Sequence, residues 1–430
     1  MKDWLQQRVE DHRSGQAIGV YSVCSAHPMV LEAVANLAKN TSTHLMVEST
    51  CNQVNQDGGY TGLRPADFVE FVARIAGKVG LPRQRVLFGG DHLGPYPWSQ
   101  LPAQHAMDKA AELVAQYVSA GYTKIHIDTS MKCSDDPVGP LSKLTIARRT
   151  AALCRAAEEA GKRAQNENLS YVIGTEVPLP GGVAGPEIGM NITTPSDVSE
   201  TLSCMHQAFS QANLDPAWDR VIAIVVQPGV EYGNDGIQEY KPELSYRLSR
   251  FIEGYENLVY EAHSTDYQTR QSLRSLVQDH FMILKVGPAL TFKFREAAFA
   301  LAHIEEVLFP QGSSNLSRLI DTIDQVMQDY PVYWKDYYQG SSQEMRLERY
   351  YSFSDRIRYY WSDQNVIRAL TRLLKNLGGR EIPLSLVSQY FPMQYPKIRS
   401  GILANHPLSL IADQIQTVLW DYHQACEGYA

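Results

Sequence analysis

The sequence places an acid and an imidazole side by side at Asp91 and His92, after the apolar residues 86–88 and two glycines. A continuous apolar run is typical of a buried parallel strand, and barrel enzymes carry their catalytic groups where such strands end. Neutral imidazole is a common ligand of zinc-type ions, and an adjacent carboxylate can act as a general acid–base. The pair therefore predicts catalytic or metal-binding chemistry at this strand end.

Two further strand ends supply residues that would complete a metal site. Glu176 follows one apolar run and His263 follows another. Two histidines and one carboxylate on three non-adjacent strands form a ligand set that catalytic zinc uses, with a fourth position left for water or substrate. We therefore predict that His92, Glu176 and His263 bind one zinc ion and that Asp91 is the catalytic acid–base. The alternative is that each is a hydrogen-bonded residue of the barrel.

More acids accompany this set at or near strand ends, namely Glu48, Asp128, Glu231 and Glu261. Several acids around one barrel mouth repel each other unless a cation or a basic side chain lies among them. The lysines close by in sequence are Lys132 and Lys285. This balance favours a metal ion, although a ring of hydrogen-bonded structural acids is the alternative.

Loops at the barrel mouth usually bind or cover the substrate, and a long polar, glycine-bearing loop spans residues 52–62. We predict that Asn52, Gln53 and Asn55 in this loop bind substrate, together with Asp128 at the end of the fourth strand. A flexible surface loop is the alternative.

Phosphate binding in barrels normally uses the loops after strands seven and eight and a helix N-terminus. Here those loops predict that Ser264, Thr265 and Gly287 bind substrate, with Ser264 and Thr265 donating to an anion such as phosphate. Asp266 would repel an anion there unless it caps a helix.

Strand-like runs alternate with helix-length amphipathic segments through the first two-thirds of the chain. Eight such units close a (β/α)8 TIM barrel, which needs about 250 residues. An open doubly wound sheet ranks second because the Gly-x-Gly-x-x-Gly turn expected after its first strand is missing. The predicted strands are residues 19–26, 44–50, 85–92, 124–130, 170–177, 220–229, 258–264 and 282–288.

Beyond residue 309 the pattern changes to helices and an aromatic-rich region at residues 330–360. We predict a barrel domain over residues 1–309 and a helical C-terminal extension over residues 310–430. The tyrosines and tryptophans of the extension suit packing on its own barrel or on a partner, because such rings bury large areas and keep a polar tip. Packing on its own barrel is the preferred interpretation.

The composition excludes several classes of protein. The 39 basic and 47 acidic residues give a net charge of -8 without charge blocks, so nucleic acid and anionic membranes are not expected partners. No apolar run approaches the ~20 residues of a membrane span. The N-terminus predicts an amphipathic helix, and the six cysteines are scattered, which favours a cytoplasmic protein. The absence of a P-loop motif argues against a bound nucleotide.

Several motifs resemble those of a known family, and the resemblance covers essentially the whole chain. The chain resembles the Z-type subunit of D-tagatose-1,6-bisphosphate aldolase, the GatZ/KbaZ family. The matching motifs are Gly58-Gly59-Tyr60-Thr61-Gly62, Gly89-Gly90-Asp91-His92-Leu93-Gly94-Pro95 and residues 23–28, 52–56, 171–178, 226–231, 261–269, 284–292, 354–361 and 382–384.

The resemblance implies an accessory, non-catalytic subunit that stabilises a catalytic Y-type subunit and brings it to full activity. That partner is a zinc aldolase that splits tagatose 1,6-bisphosphate in galactitol or N-acetylgalactosamine breakdown. Self-association and a bound sugar phosphate are further expectations. Some family members carry the label of tagatose-6-phosphate kinase, which the barrel pattern and the missing P-loop disfavour.

The chain also resembles class II aldolases more distantly. Asp91-His92 matches their catalytic aspartate and first zinc histidine, and His263 matches their last zinc histidine. Glu176 stands where those enzymes have the middle zinc histidine, and the strand end Val286-Gly287-Pro288 replaces an asparagine-containing phosphate site. The resemblance therefore implies that a metal site survives while the grip on the bisphosphate is altered. The alternative function is a zinc-dependent aldolase in its own right.

Overall fold

Eight parallel strands close into a barrel, which confirms the predicted (β/α)8 fold. The structure, a computed structural model, describes residues 4–166, 168–174, 192–310 and 315–428. The barrel runs in the order β1-β2-β3-β4-β5-β6-β9-β10 and closes through pairing of β1 with β10. Its strands are β1 Val20–Val23, β2 Leu45–Thr50, β3 Val86–Leu93, β4 Lys124–Ile127, β5 Ser170–Ile173, β6 Val221–Val225, β9 Val259–Ala262 and β10 Phe281–Val286.

Most of these strands are shorter than the sequence pattern predicts. β4, for example, ends at Ile127, so that Asp128 lies in the loop that follows. The N–H of Asp128 still donates a hydrogen bond of 3.0 Å to the carbonyl oxygen of Leu93 in β3, and its carboxylate contacts His92. A small antiparallel hairpin, β7 Glu231–Tyr232 with β8 Ile237–Gln238, lies outside the barrel sheet and is not foreseen by the sequence pattern. Glu231 therefore belongs to this hairpin and not to a barrel strand.

Helices follow the strands as the alternation predicts. Helix α6 begins with a capping box in which Thr194 and Asp197 exchange side-chain and backbone hydrogen bonds. The helices are α1 Trp4–Arg13, α2 Pro28–Thr41, α3 Pro65–Val79, α4 Ala103–Ser119, α5 Lys143–Ala164, α6 Pro195–Gln211, α7 Asp215–Trp218, α8 Pro242–Ile252, α9 Arg270–Gln278, α10 Pro288–Leu308, α11 Leu319–Asp329, α12 Ser342–Tyr351, α13 Gln364–Gly378, α14 Leu384–Tyr390, α15 Tyr395–Arg399 and α16 Pro407–Glu427.

The interior of the barrel near the amino ends of the strands is apolar, and α1 closes it. Leu5 and Val9 of α1 are buried in one cluster with the interior-facing residues of the strands, among them Val20, Met46 and Met282. Gln6 also donates a hydrogen bond of 3.1 Å to Ser170 at the start of β5. The predicted N-terminal amphipathic helix is therefore present and seals the lower end of the barrel.

The C-terminal extension packs on its own barrel. Helix α16 contacts α2, α9 and α10 on the outside of the barrel. Tyr422 of α16 donates a hydrogen bond of 2.6 Å to the carbonyl oxygen of Thr265, in the loop after β9. Trp361 of the extension lies against Phe294 of α10 with their ring centroids 4.7 Å apart. These contacts tie the extension to the side of the barrel and to the mouth at the carboxyl ends of the strands.

Candidate metal-binding and substrate site

Above the apolar layer, the barrel interior changes to buried charges. Glu48 of β2 and Glu261 of β9 are fully buried and share Lys124 of β4, whose Nζ atom lies 2.8 Å from one carboxylate and 2.6 Å from the other. Ser22 donates a further hydrogen bond of 2.5 Å to Glu48. Gly89 makes room for this carboxylate, because a Cβ atom there would lie 2.6 Å from Cγ of Glu48. The sequence alternates Lys124 and His126 with apolar neighbours, and this alternation turns both side chains inward.

A group with metal-ligand chemistry lies one layer higher. Asp91, His126, Glu261 and His263 each offer one ligand atom, and these atoms all lie within 4.8 Å of one another. His126 Nδ1 is 2.8 Å from Asp91 Oδ1, and His263 Nε2 is 3.0 Å from Glu261 Oε1. The buried Nε2 atom of His126 has no hydrogen-bond partner among the residues that the structure describes. Two imidazoles, two carboxylates and an unpartnered buried nitrogen fit a zinc-type ion.

Lys285 of β10 supplies a positive charge to the same group. Its ammonium group lies 2.9 Å from Asp91 Oδ1 and 3.8 Å from Glu261 Oε1, and it also contacts Glu48. Burial by itself would lower the pKa of Lys285, but these carboxylates together with nearby Cys24 hold it well above its usual value. Among the described residues, three carboxylates therefore face two lysines.

The same contacts keep Asp91 and Glu261 ionised. Burial would raise the pKa of Asp91, but the charges of Lys285 and His92 and the hydrogen bond from His126 hold it well below its usual value. The pKa of Glu261 is also held well below its usual value, because the charges of Lys124 and Lys285 outweigh the effect of burial. A carboxylate in this state is a hydrogen-bond acceptor and a metal ligand rather than a proton donor.

His92 lies beside this group and is oriented by a carboxylate of its own. Its Nδ1 atom is 2.9 Å from Asp128 Oδ2, while its Nε2 atom is 3.8 Å from Asp91 Oδ2. Burial would lower the pKa of His92, but Asp91 and Asp128 raise it above its usual value. Its φ of 50° lies in the left-handed region, as does the φ of 55° at Ser264 after β9. Such strained positions cluster at functional sites.

Of the predicted metal ligands and the predicted acid–base, the structure brings His92, His263 and Asp91 together at the barrel mouth. The ring centroids of His92 and His263 are 4.8 Å apart. Glu176, the third predicted ligand, lies outside the described residues. The roles assigned to these four residues stay predictions.

A cavity of about 550 Å³ opens directly above the charged group. Asp91, His92, His263 and Lys285 form its floor. The extension forms part of its wall through Arg358, Tyr359, Trp361 and residues of α13. Its size and its mixture of apolar and charged lining are typical of a small-molecule site.

The predicted substrate-binding residues divide into two sets. Gln53, Ser264 and Gly287 line the cavity, whereas Asn52, Asn55, Asp128 and Thr265 are not part of its described lining. Asn55 donates to the carbonyl oxygen of Cys51, and Thr265 donates to that of Lys285, so both side chains hold backbone in place. Contact of any of these residues with substrate stays a prediction.

Asp266 occupies the helix N-terminus at which a barrel would normally hold a phosphate. Its Oδ1 atom accepts hydrogen bonds of 2.9 Å from the N–H of Gly287 and 2.8 Å from the N–H of Ala289, at the start of α10. Burial raises the pKa of Asp266 to about 6, although these two hydrogen bonds oppose the shift. Asp266 thus caps a helix, but it caps the helix after β10 and not the one that follows it in sequence.

Sequence reasoning missed several residues of this site. His126 and Lys124 could have been found from the period-two alternation of β4, and Arg358 lies far along the chain in the extension. The expectation that Lys132 balances the acids is wrong, because Lys132 is exposed in the loop after β4 and donates to the carbonyl oxygen of Pro137. Lys124 takes that role instead because its side chain points into the barrel.

Comparison with solved structures gives a match over nearly the whole chain. The chain has 43% sequence identity and a TM-score of 0.88 to a probable tagatose 6-phosphate kinase from Sinorhizobium meliloti 1021, over 95% of this chain and 100% of that chain. A more distant match is the YdjI aldolase from Escherichia coli K12, with 10% identity and a TM-score of 0.42 over 88% of this chain and 98% of that chain. The fructose-bisphosphate aldolase from Campylobacter jejuni matches with 13% identity and a TM-score of 0.44, over 86% and 91%.

No described helix is both long enough and apolar enough to cross a membrane. The model of the family described as D-tagatose-1,6-bisphosphate aldolase subunit GatZ/KbaZ-like matches residues 5–427, which is nearly the entire chain. With barrel, charged mouth and extension all inside that match, this chain belongs to the GatZ/KbaZ-like family of D-tagatose-1,6-bisphosphate aldolase subunits.

Proposed function

We propose that this chain is an accessory, non-catalytic subunit of D-tagatose-1,6-bisphosphate aldolase that stabilises a catalytic Y-type subunit. Its place would be cytoplasmic sugar breakdown, of galactitol or of N-acetylgalactosamine. The family described for residues 5–427 supports an aldolase subunit. The observation that carries the non-catalytic role is the position of Lys285, whose ammonium group lies among Asp91, Glu48 and Glu261.

Lys285 matters because it balances negative charge at the barrel mouth. An aldolase that uses zinc needs acids and imidazoles whose charge the metal balances. Here Lys285 and Lys124 already balance most of that charge and hold the carboxylates by direct contacts. Because its own lysines balance most of the negative charge, the site does not depend on a metal for this balance, which supports the non-catalytic role.

Cleavage of tagatose 1,6-bisphosphate tests this proposal. The purified chain is assayed alone and mixed with the Y-type subunit, with zinc and with a chelator. We expect no chelator-sensitive cleavage from the chain alone, and higher activity or a longer active lifetime of the Y-type subunit in the mixture. Chelator-sensitive cleavage by the chain alone would overturn the non-catalytic role.

A second candidate function is a metal-dependent aldolase acting on its own. The observation that favours it is the group of Asp91, His126, Glu261 and His263, with the unpartnered Nε2 atom of His126. Those four residues would hold the metal, which would polarise a substrate carbonyl when bound. The protonated Lys285 would donate a hydrogen bond to a developing negative charge at the floor of the cavity, and the His92–Asp128 pair would hold a proton within reach of it.

Metal content separates the two possible ligand sets. The sequence predicts His92 as a ligand, whereas the geometry favours His126. If the second function holds, the wild-type chain carries one zinc per chain, His126→Ala loses it and His92→Ala keeps it. Loss in His92→Ala alone would support the sequence-derived set. A wild-type chain that takes up no zinc would remove the second function.

A further inference from the structure

The cavity at the barrel mouth is incomplete without the C-terminal extension. The floor comes from the barrel strands, but one wall comes from the segment that contains Arg358, Tyr359 and Trp361. Tyr267, in the loop after β9, fixes this segment by donating a hydrogen bond of 2.6 Å to the carbonyl oxygen of Phe353. Any ligand bound in the cavity would therefore contact side chains of the extension.

The usual phosphate position of a barrel is taken by a side chain of this protein. The N–H groups of Gly287 and Ala289 at the start of α10 both donate to Asp266. A phosphate at that place would have to displace a buried carboxylate and would otherwise be repelled by it. A phosphorylated ligand in this cavity therefore needs another cationic or N–H-rich position.

Arg358 provides such a position. Its guanidinium donates to the carbonyl oxygens of Ser354 and Asp355 and, at 2.8 Å, to the hydroxyl of Tyr359. Within the part of the chain that the structure describes, no carboxylate oxygen lies within 4 Å of it. The nearby carboxylates are engaged elsewhere: Asp355 accepts from Thr291 at 2.5 Å and lies 3.6 Å from Arg295, while Asp266 is held by α10.

Arg358 and Arg356 together place two positive charges beside the Tyr359 hydroxyl. Burial by itself would raise the pKa of Tyr359, but Arg358 and Arg356 together lower it below its usual value. The Cζ atom of Arg358 lies 4.4 Å from the centroid of the Tyr359 ring, which fixes the plane of the guanidinium. A guanidinium without a carboxylate partner at the wall of a cavity is a ready partner for phosphate oxygens, because its planar fork matches them in pairs.

We propose that the cavity binds a phosphorylated small molecule, such as a sugar phosphate, and that Arg358 of the C-terminal extension holds its phosphate group in place of the helix N-terminus that Asp266 fills. The sugar end of the ligand then faces Asp91, His92, His263 and Lys285 on the floor. This inference rests on the proposed function for the identity of the ligand as a sugar phosphate. It assigns to the extension a direct part in ligand binding, beyond packing.

Equilibrium binding tests the inference on the chain alone. Inorganic phosphate and tagatose 1,6-bisphosphate are titrated into wild type, Arg358→Gln and Arg358→Lys by calorimetry at constant ionic strength. We expect Arg358→Gln to bind both probes at least about tenfold more weakly, since charged hydrogen bonds to phosphate are lost. Arg358→Lys should fall in between because it keeps the charge but not the fork. The matched control is Arg368→Gln, an exposed arginine of α13 that should bind like wild type.

Two outcomes would overturn the inference. If wild type and Arg358→Gln bind phosphate equally well, the phosphate binds elsewhere. If wild type binds neither probe, the cavity is not a phosphate site. If Arg358→Gln does not fold, phenylglyoxal labelling of wild type decides: phosphate should slow modification of Arg358, and an unchanged rate contradicts the proposal. Because the Y-type subunit is absent, a failure to stimulate that subunit counts against the proposed function and not against this site.

Discussion

The lower and upper halves of the barrel interior are built on the same strands and yet have opposite character. Below, Val20, Met46 and Met282 pack with Leu5 and Val9 of α1 into a sealed apolar layer. Two residues further along their strands, Val20 and Met46 are followed by Ser22 and Glu48, which face the same interior among buried charges. Apolar packing secures the closed end, whereas the open end carries the charges whose burial costs stability and which a binding site requires.

The largest expected effect comes from breaking the buried charge balance of the upper half. Lys124→Met removes one of the two lysines that Glu48 and Glu261 share, and removing one partner of a buried ion pair costs about 3–5 kcal/mol. Urea unfolding measures the loss. Lys132→Met, on the exposed loop, is the control and should unfold like wild type. An unchanged midpoint for Lys124→Met would show that the charges are not coupled as described.

The stability of the lower half should depend on apolar packing and not on ion pairs. Leu5→Ala truncates a side chain that is 1% exposed in the apolar layer, which costs about 2–5 kcal/mol. Urea unfolding again measures it, with the exposed Gln7→Ala in the same helix as the control. Phosphate binding by folded Leu5→Ala should match wild type, because α1 seals the end opposite the cavity. A large change in phosphate affinity would contradict the separation of the two halves.

A methyl group added to the upper layer should destabilise it by overpacking. The new Cβ of Gly89→Ala would lie 2.6 Å from Cγ and 2.8 Å from Cδ of Glu48, so the carboxylate must move from its lysines, at a cost of about 1–3 kcal/mol. Gly77→Ala in α3 meets nothing within 4 Å and should stabilise by about 0.5–1 kcal/mol. Opposite signs in denaturant unfolding are the expected result. Equal effects would show that Gly89 is not required by Glu48.

A pH dependence of stability is expected at the lower end of the barrel. Burial lowers the pKa of His12 to about 4, below the usual 6.5, so the native state binds fewer protons than the unfolded chain between these values. The stability that neutral His12 contributes is complete above pH 6.5 and is lost as the pH falls through about 4. The slope is at most about 1.4 kcal/mol per pH unit. His12→Gln should flatten the unfolding free energy over this range relative to wild type; parallel curves would contradict the assignment.

Local sequence patterns predicted much of the candidate site. Asp91, His92 and His263 stand at the ends of apolar runs, and parallel strands that close a barrel bring such ends to one mouth. The strand that contains Lys124 and His126 was predicted, and its alternation with Ile125 and Ile127 indicates that both polar side chains face the barrel interior. Their role in the charged group was nevertheless missed.

What the sequence by itself determined is therefore the barrel, its helical alternation and the rim on which the polar residues lie, because strand and helix periods are local properties of the chain. Only the tertiary structure decided the partners: Lys124 between Glu48 and Glu261, Asp266 on the start of α10, and Arg358 on the wall of the cavity. These contacts join residues far apart in sequence, and their energies depend on burial and on distances of a few ångströms. No local pattern records such distances, since they arise only when the barrel closes and the extension packs against it.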